Sequence, residues 1–261
     1  PKYNLLYKAF GWEIPVYVHV STIITPEGRK LSKRLGDPSF EDLISLGFLP
    51  EAVVNFVALL GWSPGTEQEI FSLEELEQVF DIRGISKSPA VFDMVKLRWM
   101  NGEYIRKMTP EQFHEAASPY YSEALKEKGI DLVKLSRLLQ PRTEVFSDIP
   151  SMIDFLENLS EYDIALYEHK KMKTDAAISL TALKAALPVL EKAEPWENDV
   201  LYGMLTALAA EMGMKNSQIL WPVRTALSGK AATPGGATEL AELLGKEETI
   251  ARIRKGVEKL G

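Results

Sequence analysis

Three cations within five residues, Lys30, Lys33 and Arg34 in the run Lys30-Leu31-Ser32-Lys33-Arg34, are the part of this chain best equipped for chemistry. The run lies between Pro26-Glu27-Gly28 and Gly36-Asp37-Pro38, and turn-forming residues on both sides place it in a loop. A cationic loop can hold a polyphosphate and neutralise charge that shifts as the phosphorus centre reacts. Most short Lys/Arg runs are solvated surface, so the loop acquires meaning only from its surroundings.

A second basic stretch, residues 86–110, holds Lys87, Lys96, Arg98, Arg106 and Lys107 against only Asp93 and Glu103. The whole chain nevertheless carries a formal net charge of −7, which argues against indiscriminate nucleic-acid binding. An acidic body with local basic patches docks a polyanion in one orientation, because repulsion rejects the others. There is no cysteine, so neither a disulfide nor a thiolate metal site can form. His19, His114 and His169 show no ligand spacing, and no metal site is expected.

The elements that must position these residues are mostly helices. At 261 residues the chain has room for two domains or three small ones, with 46% hydrophobic and 26% charged residues. No apolar run reaches the roughly 20 residues needed to cross a bilayer, and no signal peptide opens the chain. A reducing, cytoplasmic setting fits. The start at Pro1, in mid-pattern, points to an excised fragment. The alternating, β-branched stretch Tyr17–Ile24 predicts a strand. After Asp37 helical grammar takes over: Ser39 as an N-cap with Glu41 and Asp42 in the first turn, and Pro50 at a first helical position. Val53, Phe56, Val57 and Leu60 share one face of that helix. Capping boxes follow at Ser72–Glu75 and Thr109–Gln112. Longer helices are expected over 174–193, 196–212, 215–228 and 237–260, punctuated by Gly213 and Gly245, with kinks or breaks near Pro188 and Pro222. The stretch 141–150 reads as a connection. Phe92, Leu97, Trp99, Met100 and Tyr104 read mostly as core, and Trp62, Trp196 and Trp221 as packing.

Several longer runs accompany the loop: Gly47-Phe48-Leu49-Pro50-Glu51-Ala52 through Trp62, Phe92-Asp93 with Lys96-Leu97-Arg98-Trp99-Met100-Asn101-Gly102, and Arg224-Thr225-Ala226-Leu227-Ser228-Gly229. Thr233-Pro234-Gly235 and Leu243-Leu244-Gly245-Lys246-Glu247 close the series. In these motifs, their order and their spacing, nearly the whole chain resembles the C-terminal half of bacterial glutamyl-tRNA synthetases, which are class I aminoacyl-tRNA synthetases. The Lys30–Arg34 loop resembles the second signature motif of that class.

The resemblance implies a mainly α fold, with a stem-contact α/β segment followed by two helical bundles of the anticodon-binding type. Residues 1–24 are then the tail of the catalytic nucleotide-binding domain and 25–109 the stem-contact domain; 110–160 and 161–261 are two anticodon-binding helical subdomains. It implies that the parent enzyme uses ATP with Mg2+ to make glutamyl-adenylate and transfers glutamate to tRNA(Glu). Lys33 is then the catalytic cation, assisted by Lys30 in the ATP-binding loop Lys30, Leu31, Ser32, Lys33 and Arg34. Arg142, Arg224, Thr233 and Pro234 match anticodon-reading positions, and Arg142 matches the form that discriminates glutamate tRNA from glutamine tRNA. Lys96, Arg98 and Arg106 are expected to touch the tRNA backbone or to form internal ion pairs. Gly236 departs from the pattern, which has a bulkier apolar residue there; contact from Leu240 could replace it. No histidine here lies in the His-Ile-Gly-His-type motif that holds ATP phosphates. The expected partners are therefore tRNA(Glu) and a missing N-terminal catalytic domain, the expected state a monomer away from membranes, and the fragment alone inactive and without bound cofactor. The competing readings are a free-standing, non-catalytic helical RNA-binding module and a helical scaffold. A glutaminyl relative is disfavoured, because its anticodon region is built from β-barrels.

Overall fold

Short polar residues ahead of apolar runs set most of the helix starts. Ser39, Ser72 and Thr109 each accept a hydrogen bond from the backbone N–H three residues on, and the side chains of Asp42, Glu75 and Gln112 return one to the cap. The computed structural model describes residues 2–261; Pro1, on which the expectation of an excised start rests, lies outside them. Among the described residues the chain is mainly α, with one two-stranded parallel sheet. It divides into two compact units, Pro1–Met100 and Asn101–Gly261, and the division falls inside the helix Met94–Lys107.

In the first unit, Ile23–Ile24 pairs in parallel with Ala90–Val91. This ladder is much shorter than the strand expected over Tyr17–Ile24. A strand persists only where a neighbour takes up its N–H and C=O groups, and residues 13–22 have no ladder partner. Val16, Val18 and Val20 are accordingly 91%, 48% and 67% exposed. An unexpected helix, Lys2–Ala9, precedes them. One core cluster of the unit gathers Trp62, Phe71 and Leu76, with Ala58, Leu59 and Ile85 packed around them. The helix Pro50–Gly61 buries Val53 and Phe56, whereas Val57, on the expected stripe, stays exposed. Trp99 is also not core: it is 40% exposed, while Leu97 and Met100 on the same helix are fully buried.

The second unit holds a smaller and a larger bundle. The smaller comprises Pro110–Ala117, Glu123–Glu127, Leu132–Leu139 and Ile149–Glu157. The larger comprises α10 (Ala176–Glu191), α11 (Asn198–Glu211), α12 (Asn216–Ser228), α13 (Ala237–Leu244) and α14 (Lys246–Leu260). Helix α12 packs against the other four and buries Ile219, Val223, Ala226 and Leu227. Both α10 and α12 run through their prolines, Pro188 and Pro222, so no break occurs there. Each proline removes one internal hydrogen bond, and the buried apolar face on either side holds the helix in place. Gly245 does divide the stretch 237–260, with a φ of 79°. Gly229 ends α12 at φ 61°, where a Cβ would stand 2.7 Å from the Tyr162 ring, so both conformation and space demand glycine.

Candidate nucleic-acid interface

The cationic loop is pinned from beneath. Gly28 N–H donates to Thr25 O and Thr25 N–H to Arg29 O, closing a turn that brings Lys30 into an antiparallel bridge with Ile24. Arg29 donates two hydrogen bonds to the Asp37 carboxylate, at 2.7 and 2.8 Å, and the Ser32 N–H donates a third at 2.7 Å. These bonds, the arginine first, hold Asp37 below the usual carboxylate range. Lys33 then opens a single 3-10 turn, Lys33–Leu35, which Gly36 ends at φ 87°. The Lys30, Lys33 and Arg34 side chains are exposed, while Leu31 and Ser32 are half-buried and anchor the middle. The Lys33 ammonium lies 3.6 Å from Glu41, and both side chains are more than 70% exposed. Such a pair is loose enough to exchange Glu41 for a phosphate. Arg29 and Asp37 were missed as partners from sequence, although an aspartate between Gly36 and Pro38 is the signal that could have found them.

Among the cations expected to touch the tRNA backbone, Lys96 is paired internally with Glu69 and Arg106 with Glu103. Arg98 lies half-buried on the same helix. Such pairs on exposed surfaces are weak and exchangeable.

In the larger bundle, Trp221 and Arg224 lie one turn apart on α12, so their side chains meet. The Arg224 guanidinium sits 4.1 Å from the centre of the Trp221 ring, and the His169 ring is 4.1 Å from the same indole. The indole N–H donates to Leu166 O at 3.0 Å, which fixes the plane of the stack. Arg224 donates to Thr233 Oγ1 and to Ala231 O, each at 3.0 Å, and Thr233 Oγ1 donates on to Gly235 O at 2.7 Å. Its Nε is buried with no hydrogen-bond partner. Burial also pulls the Arg224 pKa down from its ordinary value. Beside this stack opens a cavity of about 520 Å3, lined among others by Met172, Tyr202, Trp221, Arg224, Gly236 and Thr238. Its walls are mostly apolar with a few polar groups, the make-up of a ligand site.

Arg224 and Thr233 are therefore brought together. Pro234 is buried behind them and stiffens the turn. Arg142 is exposed at the end of the 3-10 turn Gln140–Arg142 in the smaller bundle, where it donates to Leu138 O at 3.2 Å. The Leu138 side chain in turn abuts Gly235. Leu240 is fully buried, so it cannot supply the contact that Gly236 lacks. Trp221, expected only to pack, forms a wall of the cavity; its spacing of three residues from Arg224 was the available signal.

Among the described residues no group of three or more His, Asp or Glu could hold a metal ion, and no helix is long and apolar enough to cross a membrane. Residues 112–257 match the anticodon binding domain family, and residues 1–99 match the catalytic domain of class I tRNA synthetases (E and Q). The chain is 54% identical over 260 residues to a glutamate–tRNA ligase of Clostridium acetobutylicum and 55% identical over 263 residues to one of Clostridium novyi. In each case all of this chain is covered, and it spans 54% of the relative's length. The crystal structure of a glutamate tRNA ligase from Elizabethkingia meningosepticum, in complex with its amino acid, superposes with a TM-score of 0.77 at 30% identity. That match covers 98% of this chain and 54% of the other. The chain spans about half the length of the curated relatives it matches, and it belongs to the anticodon binding domain family, in the form that glutamate–tRNA ligases carry.

Proposed function

We propose that this chain is the tRNA-binding portion of a glutamate–tRNA ligase, with residues 25–109 contacting the tRNA stem and the helical bundles reading the anticodon of tRNA(Glu). The observation that carries this reading is the cavity walled by Arg224 stacked on Trp221. Unpaired bases are recognised by stacking and by hydrogen bonds to their exposed edges. Arg224 and Trp221 both line the cavity, and the nearby Thr233 turn offers polar groups. Arg142, exposed on the smaller bundle, suits a second base, since a guanidinium both stacks and donates in pairs. Equilibrium binding of tRNA(Glu) and of a transcript with a substituted anticodon tests this directly. Equal affinity for the two would end the assignment.

The Lys30–Arg34 loop fits the other half of the reaction, in which glutamate attacks the α-phosphate of ATP and pyrophosphate leaves. Charge builds on the phosphorus oxygens as that bond forms, and a cation placed there stabilises the transition state beyond the ground state. Lys33 is the residue proposed for this role, with Lys30 beside it. Their backbone is fixed by the Arg29–Asp37 latch while their side chains remain in solvent. The Mg2+ that accompanies ATP has no ligand cluster among the described residues.

None of the three histidines stands in a phosphate-holding motif, and Tyr3, Leu5, Phe10 and Trp12 expose more than 60% of their surface. Both facts favour a chain that works with a separate catalytic part. ATP–pyrophosphate exchange should be undetectable with this chain alone. Turnover near that of an intact ligase would refute the division of labour.

A further inference from the structure

We infer that the turn His169–Thr174 is a phosphate-binding edge of the Trp221–Arg224 cavity, taking the sugar–phosphate backbone of the RNA strand whose base enters that cavity. The inference rests on the anticodon reading above and adds a site to it. The turn carries Lys170, Lys171 and Lys173, all exposed. Among the described residues none of the three pairs with a carboxylate, as is also true of Lys184 and Lys192, while Lys126, Lys134, Lys230 and Lys259 of the same unit do pair. In a chain of net charge −7, three ammonium groups within four residues leave the stretch 168–175 net positive even with Glu168 and Asp175 flanking them.

The turn is rigid. His169 and Thr174 exchange backbone hydrogen bonds at 3.1 and 3.3 Å. Ser217 Oγ donates to Met172 O at 3.1 Å and Gln218 Nε2 to Lys173 O at 3.0 Å, tying the turn to the start of α12. Lys173 adopts φ 57°, the left-handed region that side chains rarely occupy, and it is the one such non-glycine among the described residues. The turn also reaches the cavity at two points: Met172 lines it, and His169 packs its ring on Trp221. A base held against that indole carries its 5′ and 3′ phosphates with it, and lysine is a strongly hydrated point charge suited to holding them.

The test uses the whole chain and a tRNA(Glu) transcript, with binding measured by fluorescence anisotropy across a salt series. The variant is Lys170→Gln, Lys171→Gln and Lys173→Asn together, asparagine being tolerant of the left-handed backbone. The control is Lys184→Gln with Lys192→Gln, two exposed lysines of α10 and its end. Each phosphate contact on a single strand contributes about 0.7 to the slope of log affinity against log salt. The triple variant should therefore bind with a slope shallower by about 2 and with affinity about tenfold lower at low salt, while the control matches the unmodified chain. If the unmodified chain binds and the triple variant keeps its slope, this inference is overturned and the anticodon reading stands. If the unmodified chain does not bind tRNA at all, both fall.

Discussion

Arg29 reaches across eight residues to donate both of its terminal nitrogens to Asp37, and the same carboxylate accepts from the Ser32 N–H at the centre of the cationic loop. The loop is thus shaped by a pair that lies outside the residues proposed to hold phosphate. Asp37 is held below the usual aspartate value of 3.8, the Arg29 bond being the largest cause and the Ser32 bond the next. A carboxyl with a depressed native pKa contributes fully above its unfolded value, and that contribution is lost as pH falls through the native one. The Ser32 amide resonance should therefore shift as pH falls with a midpoint below the usual aspartate value of 3.8. In Asp37→Asn the shift should be absent. A midpoint at or above 3.8 in the unmodified chain would show that the latch is not formed in solution.

The Arg224–Trp221 stack makes a different demand, because its proposed use depends on a flat cation. Replacing Arg224 by alanine removes a stacking surface worth about 1–3 kcal/mol per base. It also removes the bonds to Thr233 and Ala231, at about 1 kcal/mol each of stability. Arg224→Lys keeps the charge without the planar fork and should recover little tRNA affinity. Lysine binding as well as arginine would reduce the role of Arg224 to charge alone.

Much of this was legible in the sequence, and what was not has identifiable causes. The capped helices were readable because Ser39, Ser72 and Thr109 act locally, through bonds three residues long. Tyr17–Thr22 has the composition of a strand but no partner to pair with, and pairing is a property of the neighbour rather than of the segment. Pro188 and Pro222 looked like breaks because their local cost is visible while the packing of α10 and α12 that offsets it is not. At the site, Arg224 and Thr233 were named from their motifs, and they are hydrogen-bonded. Trp221 was assigned to packing since an isolated indole gives no sign of whether one face borders a cavity. Asp37 went unnoticed as a latch because its partner lies on the far side of the loop.

Gly236 offers a gain-of-contact experiment. Its φ is −77°, open to any residue, and a Cβ there would meet only Glu239 Oε2 at 3.4 Å. Because Gly236 borders the cavity, Gly236→Leu places an apolar side chain where a base would stack. About 40 Å2 of added apolar contact is worth roughly 1 kcal/mol. The helix start loses a residue favoured there, a cost of a few tenths to about 1 kcal/mol in stability. tRNA(Glu) should bind severalfold more tightly while the chain melts slightly earlier. Weaker binding would show that no base enters from this side.

The two bundles meet through surface ion pairs, Lys134–Glu242 and Lys230–Asp154 among them, and through one buried cation. Arg252 on α14 is 1% exposed, and its Nη1 donates to Phe155 O at 2.8 Å and to Leu227 O at 2.6 Å. Both carbonyls belong to the last turns of their helices, Ile149–Glu157 and α12, where no internal donor is left for them. A positive charge at two converging C-termini also complements both helix dipoles. Arg252 sits on the face of α14 that buries Thr249, Ile250, Ile253 and Gly256, a position at which an apolar residue would be the ordinary choice. Methionine there would fill similar space yet leave two buried carbonyls unpaired and Glu248 without its partner. Leaving two buried carbonyls without a donor costs about 1–3 kcal/mol each. Urea unfolding of Arg252→Met should show that loss, and Arg252→Lys should fall between, since an ammonium can still donate to a carbonyl but loses the Nε bond to Glu248. If Arg252→Met unfolds within about 1 kcal/mol of the unmodified chain, apolar packing and the remaining ion pairs suffice to join the bundles, and the arginine needs another explanation.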